Sequence, residues 1–269
     1  MWINKNKILS PNLLGIVPSS TPSIDPDAQA FLTAANITNT TQISAINTLV
    51  ISLKSANIWN KFVAIYPVCG GVASSHAVNL KTPGTFNLSF TTGWTHSSTG
   101  MTPNGAAYAS TQFNPSSNLI GNINNCHLSY YSRTNNSTGI ECLIGVDNGS
   151  SNRFAIGLNT TTQNFYYAND SSYSGNSITN PLGLHLVNRS LSNQKNGFYN
   201  KTKSTANVNS TFLTNNIITL ASMNMGGSFL YYTTKQCAFA SIGLGLTDTD
   251  ETNFYNEIQT YQTTLSRQV

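Results

Sequence analysis

The sequence predicts a mainly β protein: an antiparallel β-sandwich of jelly-roll type, preceded by two short helices and closed by a C-terminal helix. Three observations carry this reading. From Ile65 to about Gly245, ten short runs of β-branched and aromatic residues, roughly eight to fifteen residues apart, alternate with Gly, Asn, Ser and Pro clusters. Helical periodicity is confined to the stretch before this region and to the C-terminal end. Charged residues make up only 8% of the chain, against roughly 25% in an average domain, while Asn, Ser and Thr together exceed a third of it. Such a composition, with 10% aromatics, excludes an intrinsically disordered or coiled-coil chain and suits water-facing sheets.

Taken in order, residues 1–24 carry Pro11, Pro18 and Pro22 and no periodicity, so they read as an extended arm. Lys5, Lys7 and a short apolar run resemble a signal peptide only superficially, because Asn, Pro and Gly interrupt the run. Trp2, Ile8, Leu9, Leu13 and Leu14 are too apolar for a free tail and are expected to anchor the arm on a partner surface. Residues 25–63 read as a helical neck. Asp25 is an N-cap followed by Pro26 at the first helical position. A second helix begins at Thr40 or Thr41 and places Ile43, Ile46, Leu49, Val50, Leu53 and Ile58 on one face. Ile46, Leu49 and Leu53 are expected to bury against neighbouring copies in a homotrimer. Pro67 and Gly70-Gly71 prevent continuation of the helix.

Residues 64–269 form the expected sandwich with its helix. Asn148-Gly149, Asn196-Gly197 and Gly226-Gly227 read as hairpin turns. In the closing helix, Thr247 to Glu251 offer overlapping caps, and Phe254, Ile258, Tyr261 and Leu265 form a stripe that packs on the sandwich.

The motifs for chemistry are sparse. Sugar cleavage needs two carboxylates on either side of one bond. Six of the nine acids belong to helix caps or the terminal helix, which leaves Glu141, Asp147 and Asp170 in the sandwich without alternation on one strand face. His76, His96, His127 and His185 are far apart and form no metal-ligand motif, and no nucleophile elbow, phosphate loop or dinucleotide fingerprint is present. Asp147-Asn148-Gly149 matches only a fragment of a calcium loop and reads better as a turn. The expectation is no enzyme, no catalytic residue, no metal and no cofactor. Net charge +4 without a basic run points away from nucleic acid, and no apolar stretch is long enough to span a membrane. Cys69, Cys126, Cys142 and Cys237 sit among small and apolar neighbours and read as buried reduced thiols, although their even number also permits two disulfides.

Tyr130-Tyr131, Tyr166-Tyr167 and Tyr231-Tyr232 each place one ring on either side of a strand. Outward rings, together with Trp94, are the candidate glycan-binding residues, since sugar rings present apolar C–H faces for stacking.

The segments DPDAQAFLTAAN, ISAINTLVISLKSANIWNKFVAIYPVCGGVASSHAVNLKTP, GWTHSSTGMTPNGAAYASTQFNP and HLSYYSRTN, with the closing LTDTDETNFYNEIQTYQTTLSRQV, resemble virion structural proteins of tailed bacteriophages, crAss-like phages among them. The resemblance implies a concanavalin-like (laminin-G-like) jelly roll after a helical pair. It implies a place on the virion surface, after assembly in the host cytoplasm, and supplies no catalytic residues. It does not reach residues 1–24, which are expected to join the chain to other virion proteins. The expected role is a capsid-attached head fibre or decoration with weak glycan adhesion, or alternatively a tail fibre or receptor-binding protein.

Overall fold

A computed structural model describes residues 23–136, 139–150 and 152–269. The anchoring residues expected at Trp2, Ile8, Leu9, Leu13 and Leu14 lie outside the described residues.

The helices begin where local capping rules place them. Helix α1 (Pro26–Ala34) is capped by Asp25, whose carboxylate accepts from the Asp27 N–H at 2.9 Å. Helix α2 (Thr40–Ser55) is capped by Asn39, and Lys54 in its last turn reaches back to Asp25 and Asp27 at 2.6 and 2.7 Å. Helices α3 (Ala73–His76) and α4 (Pro115–Asn118) are single turns. For helix α5 (Asp248–Thr264) the structure selects one of the overlapping caps: Thr247 and Asp250 form a reciprocal capping box.

The strands are β1 (Phe62–Tyr66), β2 (Ser89–Phe90), β3 (Trp94–Ser97), β4 (Gly100–Pro103), β5 (Ala109–Ser110), β6 (Cys126–Ser132), β7 (Glu141–Asp147), β8 (Arg153–Thr160), β9 (Gln163–Asp170), β10 (Gly183–Leu191), β11 (Gln194–Tyr199), β12 (Thr202–Ala206), β13 (Thr219–Leu220), β14 (Met223–Met225), β15 (Ser228–Leu230) and β16 (Cys237–Gly243). All ten sequence-predicted runs contain strand residues. The first sheet has the order β12-β11-β10-β6-β16-β4-β3, with β1 also on β16. The second runs β15-β14-β7-β13-β5-β2, with β8 on β7 and β9 on β8. Pairing is antiparallel throughout, except where β14 lies parallel to β7. The fold is thus the expected mainly β sandwich.

The molecule has three layers. Leu128, Tyr130, Val187, Ala240 and Ile242 of the first sheet meet Ile144, Val146, Phe154, Ile156 and Tyr166 of the second. On the other face of the first sheet, Tyr131, Leu184, Leu186 and Phe239 share a core with Leu49, Leu53, Phe254, Ile258 and Tyr261. This corrects the reading of residues 25–63 as a neck. Ile46, Leu49 and Leu53 are 0%, 2% and 0% exposed within one chain, so they are not oligomer contacts. A helix of this kind has a single apolar stripe, and the chain's own sheet and α5 already cover it. β1 begins at Phe62, inside the proposed neck, and ties the helical layer to the centre of the first sheet.

The C-terminus is clamped by a buried cation. Arg267 donates to Gln262 Oε1 at 2.6 Å and to the carbonyls of Val68, Pro67 and Ala238 at 2.7, 2.8 and 2.9 Å. All four cysteines are buried and unbridged, and burial pushes the Cys126 and Cys237 thiols up to about 12.

One expected turn is misplaced. Asn196-Gly197 lies inside β11, and the β10–β11 turn falls between Leu191 and Gln194. The glycine serves a close approach: a Cβ at Gly197 would stand 2.0 Å from the Tyr166 ring, which packs over it.

Glu251, buried at the start of α5, accepts from Asn188 Nδ2 at 2.6 Å and lies 3.7 Å from Lys203 Nζ. Burial raises its pKa to about 7. The folded state therefore holds more protons than the unfolded state between about 4.5 and 7, and stability falls as pH rises through that window. The Glu251→Gln variant, which keeps an acceptor for Asn188, is expected to be more stable than the parent by about 3 kcal/mol at pH 8 and equally stable near pH 4.5. Thermal melts at the two pH values check this; an equal gap at both would contradict it.

Candidate functional site

The hairpin joining β7 to β8 is built by side-chain-to-backbone bonds. Asp147 Oδ1 accepts from the Gly149 N–H at 2.8 Å, Asn148 Oδ1 accepts from the Asn152 N–H at 3.0 Å, and Gly149 has φ +83°. The segment is the turn that its sequence indicates. Beyond it, alternation directs Arg153, Ala155, Gly157 and Asn159 to the outer face of the second sheet, with Phe165 and Tyr167 beside them on β9. The small residues of β8 leave a hollow: a Cβ at Gly157 would lie 2.2 Å from Phe165. The two rings occupy that hollow and are almost fully covered, although they stand on the outside of the sandwich.

Above them is an open cleft of about 120 Å³, lined by Ile140, Arg153, Asn159, Phe165, Tyr167, Tyr173, Met223 and Tyr231. This is shallower than the roughly 300–1,000 Å³ pockets that enclose drug-sized ligands, and suits a surface contact with one ring. The rim is apolar and accessible, with Ile140 53%, Tyr173 51% and Tyr231 38% exposed. Tyr231 is held at φ +54°, with its carbonyl accepting from the Cys142 N–H at 2.7 Å. Arg153 is the single charged lining residue. Its Nε donates to Asp147 Oδ2 at 2.7 Å and its Nη1 to Tyr167 Oη at 3.1 Å. Asp147 itself is fully buried behind it.

Of the sequence-predicted glycan residues, the structure brings Tyr167 and Tyr231 together in this cleft. The others are elsewhere. Tyr130, Tyr131 and Tyr166 are buried at 0%, 0% and 2% exposure. Tyr130 and Tyr131 do point to opposite faces of β6, but each face meets another layer, so neither ring reaches solvent. Tyr166 fills the space between the sheets. Trp94 packs against Phe90 at the sandwich edge and spends its indole N–H on the Tyr108 carbonyl at 3.2 Å. Tyr232 is half-buried outside the cleft.

Sequence reasoning missed Arg153, Tyr173, Asn159 and Phe165. The available signal was the run Arg153-Ala155-Gly157-Asn159, whose outward positions are polar at both ends and small in the middle.

The three sandwich carboxylates are separately engaged. Glu141 pairs with Lys235 at 3.0 Å, Asp147 with Arg153, and Asp170 with Arg189 and Lys195. None of them lines the cleft. Two of the dispersed histidines do meet: His76 Nδ1 and His96 Nδ1 are 2.9 Å apart. His76 Nε2 accepts from the Gly71 N–H at 3.1 Å, so its proton sits on Nδ1 and is shared with His96. Among the described residues no group of three His, Cys, Asp or Glu side chains is arranged to hold a metal ion, and no helix is long and apolar enough to cross a membrane.

No family model and no curated protein matches the chain. Solved structures do match. A mutant of Trypanosoma rangeli sialidase displaying trans-sialidase activity aligns with a TM-score of 0.50 at 10% identity, over 83% of this chain and 39% of that one. NanB with Optactamide aligns with a TM-score of 0.43 at 11% identity, over 53% of this chain and 26% of that one. The Ruminococcus gnavus IT-sialidase CBM40 bound to alpha2,6 sialyllactose aligns with a TM-score of 0.42 at 14% identity, over 56% and 92%. The chain spans about a quarter of the length of NanB. At 10% identity the likeness to the Trypanosoma rangeli sialidase mutant is one of fold alone.

Proposed function

We propose that the chain is a non-catalytic glycan-adhesion protein of a bacteriophage virion, displayed as a capsid-attached fibre or decoration. The observation that carries the adhesion reading is the outer-face cleft: an aromatic floor, an exposed aromatic rim and one cation, with no carboxylate in reach to attack or protonate a glycosidic bond. Exposed tyrosines stack on the apolar faces of pyranose rings, and the buried floor holds the cleft in shape without a ligand. The particle reading is supported by the sequence resemblance, and the low charge of the surface suits contacts that persist across salt concentrations.

The test is a glycan array probed with the parent chain and with a Tyr173→Ala/Tyr231→Ala variant. Both rings are exposed, so the variant is expected to melt within about 1 kcal/mol of the parent. It is expected to lose tenfold or more in affinity, since each stacked ring contributes about 1 kcal/mol. Absence of retained glycan, or retention unchanged in the variant, would remove the adhesion reading. New reducing ends released from a retained glycan would remove the non-catalytic one. Gold-labelled antibody on purified particles separates head from tail, and absence of label on both would remove the virion reading.

A further inference from the structure

We infer that the cleft selects a sugar bearing a carboxylate and that Arg153 is the residue that selects it; this deepens the adhesion reading and rests on it. A guanidinium carries five N–H donors. Two of those on Arg153 are used, Nε on Asp147 and one Nη1 hydrogen on Tyr167. Nη2 has no protein partner among the described residues, so the Nη1/Nη2 edge retains three donors. The buried arginines elsewhere differ. Arg189 directs Nε, Nη1 and Nη2 to Ala168, to the Leu191, Ser192, Gln194 and Val208 carbonyls, and to Asp170. Arg267 is likewise engaged through all three nitrogens. Arg153 keeps an open edge, and that edge belongs to the side chain that lines the cleft.

The edge is also held in place. Asp147 Oδ2 fixes Nε from behind, and Asp147 Oδ1 is itself fixed by the Gly149 N–H. Tyr167 holds Nη1 from the side. The guanidinium plane is therefore set before a ligand arrives, so little rotamer freedom remains to be lost on binding. Two parallel N–H donors on a planar fork match the two oxygens of a carboxylate, and such charge-assisted pairs are the stronger hydrogen bonds. A neutral sugar stacked on Tyr173 and Tyr231 would cover this edge and leave it without an anionic acceptor. Nonulosonic and hexuronic acids share the required carboxylate.

The experiment titrates the full chain by calorimetry with a sialylated lactose, a glucuronic-acid-terminated disaccharide, lactose, and the methyl ester of whichever acid binds. At least one acidic probe is expected to bind tenfold or more tighter than lactose, and its methyl ester to fall to the lactose level. The Arg153→Gln variant should lose the acidic preference, while Tyr173→Ala weakens acidic and neutral probes alike. The ester comparison uses the parent protein and stands even if Arg153→Gln fails to fold. Equal affinity for acid, ester and lactose overturns the inference and leaves the adhesion reading intact. Binding of none of the probes overturns the inference, and an empty glycan array then removes the adhesion reading with it.

Discussion

Stability is expected to fall steeply between pH 6.5 and pH 4, driven by three histidines buried as neutral rings. His127 donates from Nδ1 to the Leu244 carbonyl at 2.6 Å and accepts from Ser241 Oγ on Nε2 at 3.2 Å. His185 donates from Nε2 to the Pro181 carbonyl at 3.1 Å and accepts from Asn164 Nδ2 on Nδ1. His76 accepts from the Gly71 N–H. Each ring thus spends one nitrogen as donor and one as acceptor, and a second proton would face a donor. Burial is the main cause that lowers their pKa values to about 4, 4 and 3; the neighbouring His96 ring and the Arg267 cation, for His76, and the Lys61 cation, for His127, act in the same direction. In the unfolded chain the rings titrate near 6.5. Between these limits the unfolded state binds more protons, so the contribution is complete above 6.5 and is lost as pH falls toward the folded values. At about 1.36 kcal/mol per pKa unit, the three together contribute on the order of 10 kcal/mol. Protonation of Glu251 returns about 3 kcal/mol in the opposite direction. The remainder is comparable to the whole stability of an ordinary domain, about 5–15 kcal/mol. Urea unfolding midpoints from pH 8 to pH 4 should therefore collapse in the lower half of that range, and His127→Gln should flatten the curve. A midpoint constant down to pH 4.5 would contradict the account.

The second large effect is expected at Asp170. Its carboxylate lies 3.0 Å from Arg189 Nη2 and 2.7 Å from Lys195 Nζ, and all three side chains are buried to 1% exposure or less. It also accepts from the Ala168 and Ser172 N–H groups at 3.1 and 3.0 Å. Two cations share one anion, and carbonyl oxygens complete the coordination of both. Asp170→Asn keeps the shape and removes the charge, leaving two buried cations uncompensated; the cost is expected to be about 3–5 kcal/mol. Lys195 offers a partial escape, because burial already lowers its pKa and loss of Asp170 lowers it further. The variant should accordingly gain more stability than the parent as pH rises toward the lysine range, because its Lys195 pKa is depressed further. Chemical denaturation at pH 7 and pH 10 checks both statements. A loss below about 1 kcal/mol at pH 7 would show that the cluster is not held by its charge balance.

What the sequence determined by itself is what depends on near neighbours along the chain. Asp25 with Pro26, and Thr247 with Asp250, set helix starts because a cap satisfies N–H groups two or three residues away. Asn148-Gly149 and Gly226-Gly227 make turns because positive φ is a local requirement. The ten β-rich runs contain strand residues because alternation and β-branched composition are local properties. The division of Tyr166 and Tyr167 between two faces follows from the same period.

The tertiary structure decided which faces remain open. Tyr130 and Tyr131 alternate correctly, yet both are buried because helices cover the outer side of the first sheet, and no local pattern in β6 records that third layer. For the same reason the stripe Ile46-Leu49-Leu53 reads equally well as a contact with another copy or with α5; only the packed chain shows that α5 and the first sheet cover it. Gly197 is read as a turn from its neighbour Asn196, whereas its cause is the Tyr166 ring from a strand far away in sequence. The cleft is the extreme case. Ile140, Arg153, Tyr173 and Tyr231 come from the neighbourhoods of β7, β8, β9 and β15, and each alone is an ordinary surface residue. A binding site is a relation among side chains fixed by sheet order and register, and these long-range pairings are settled by packing against the other layers rather than by local sequence.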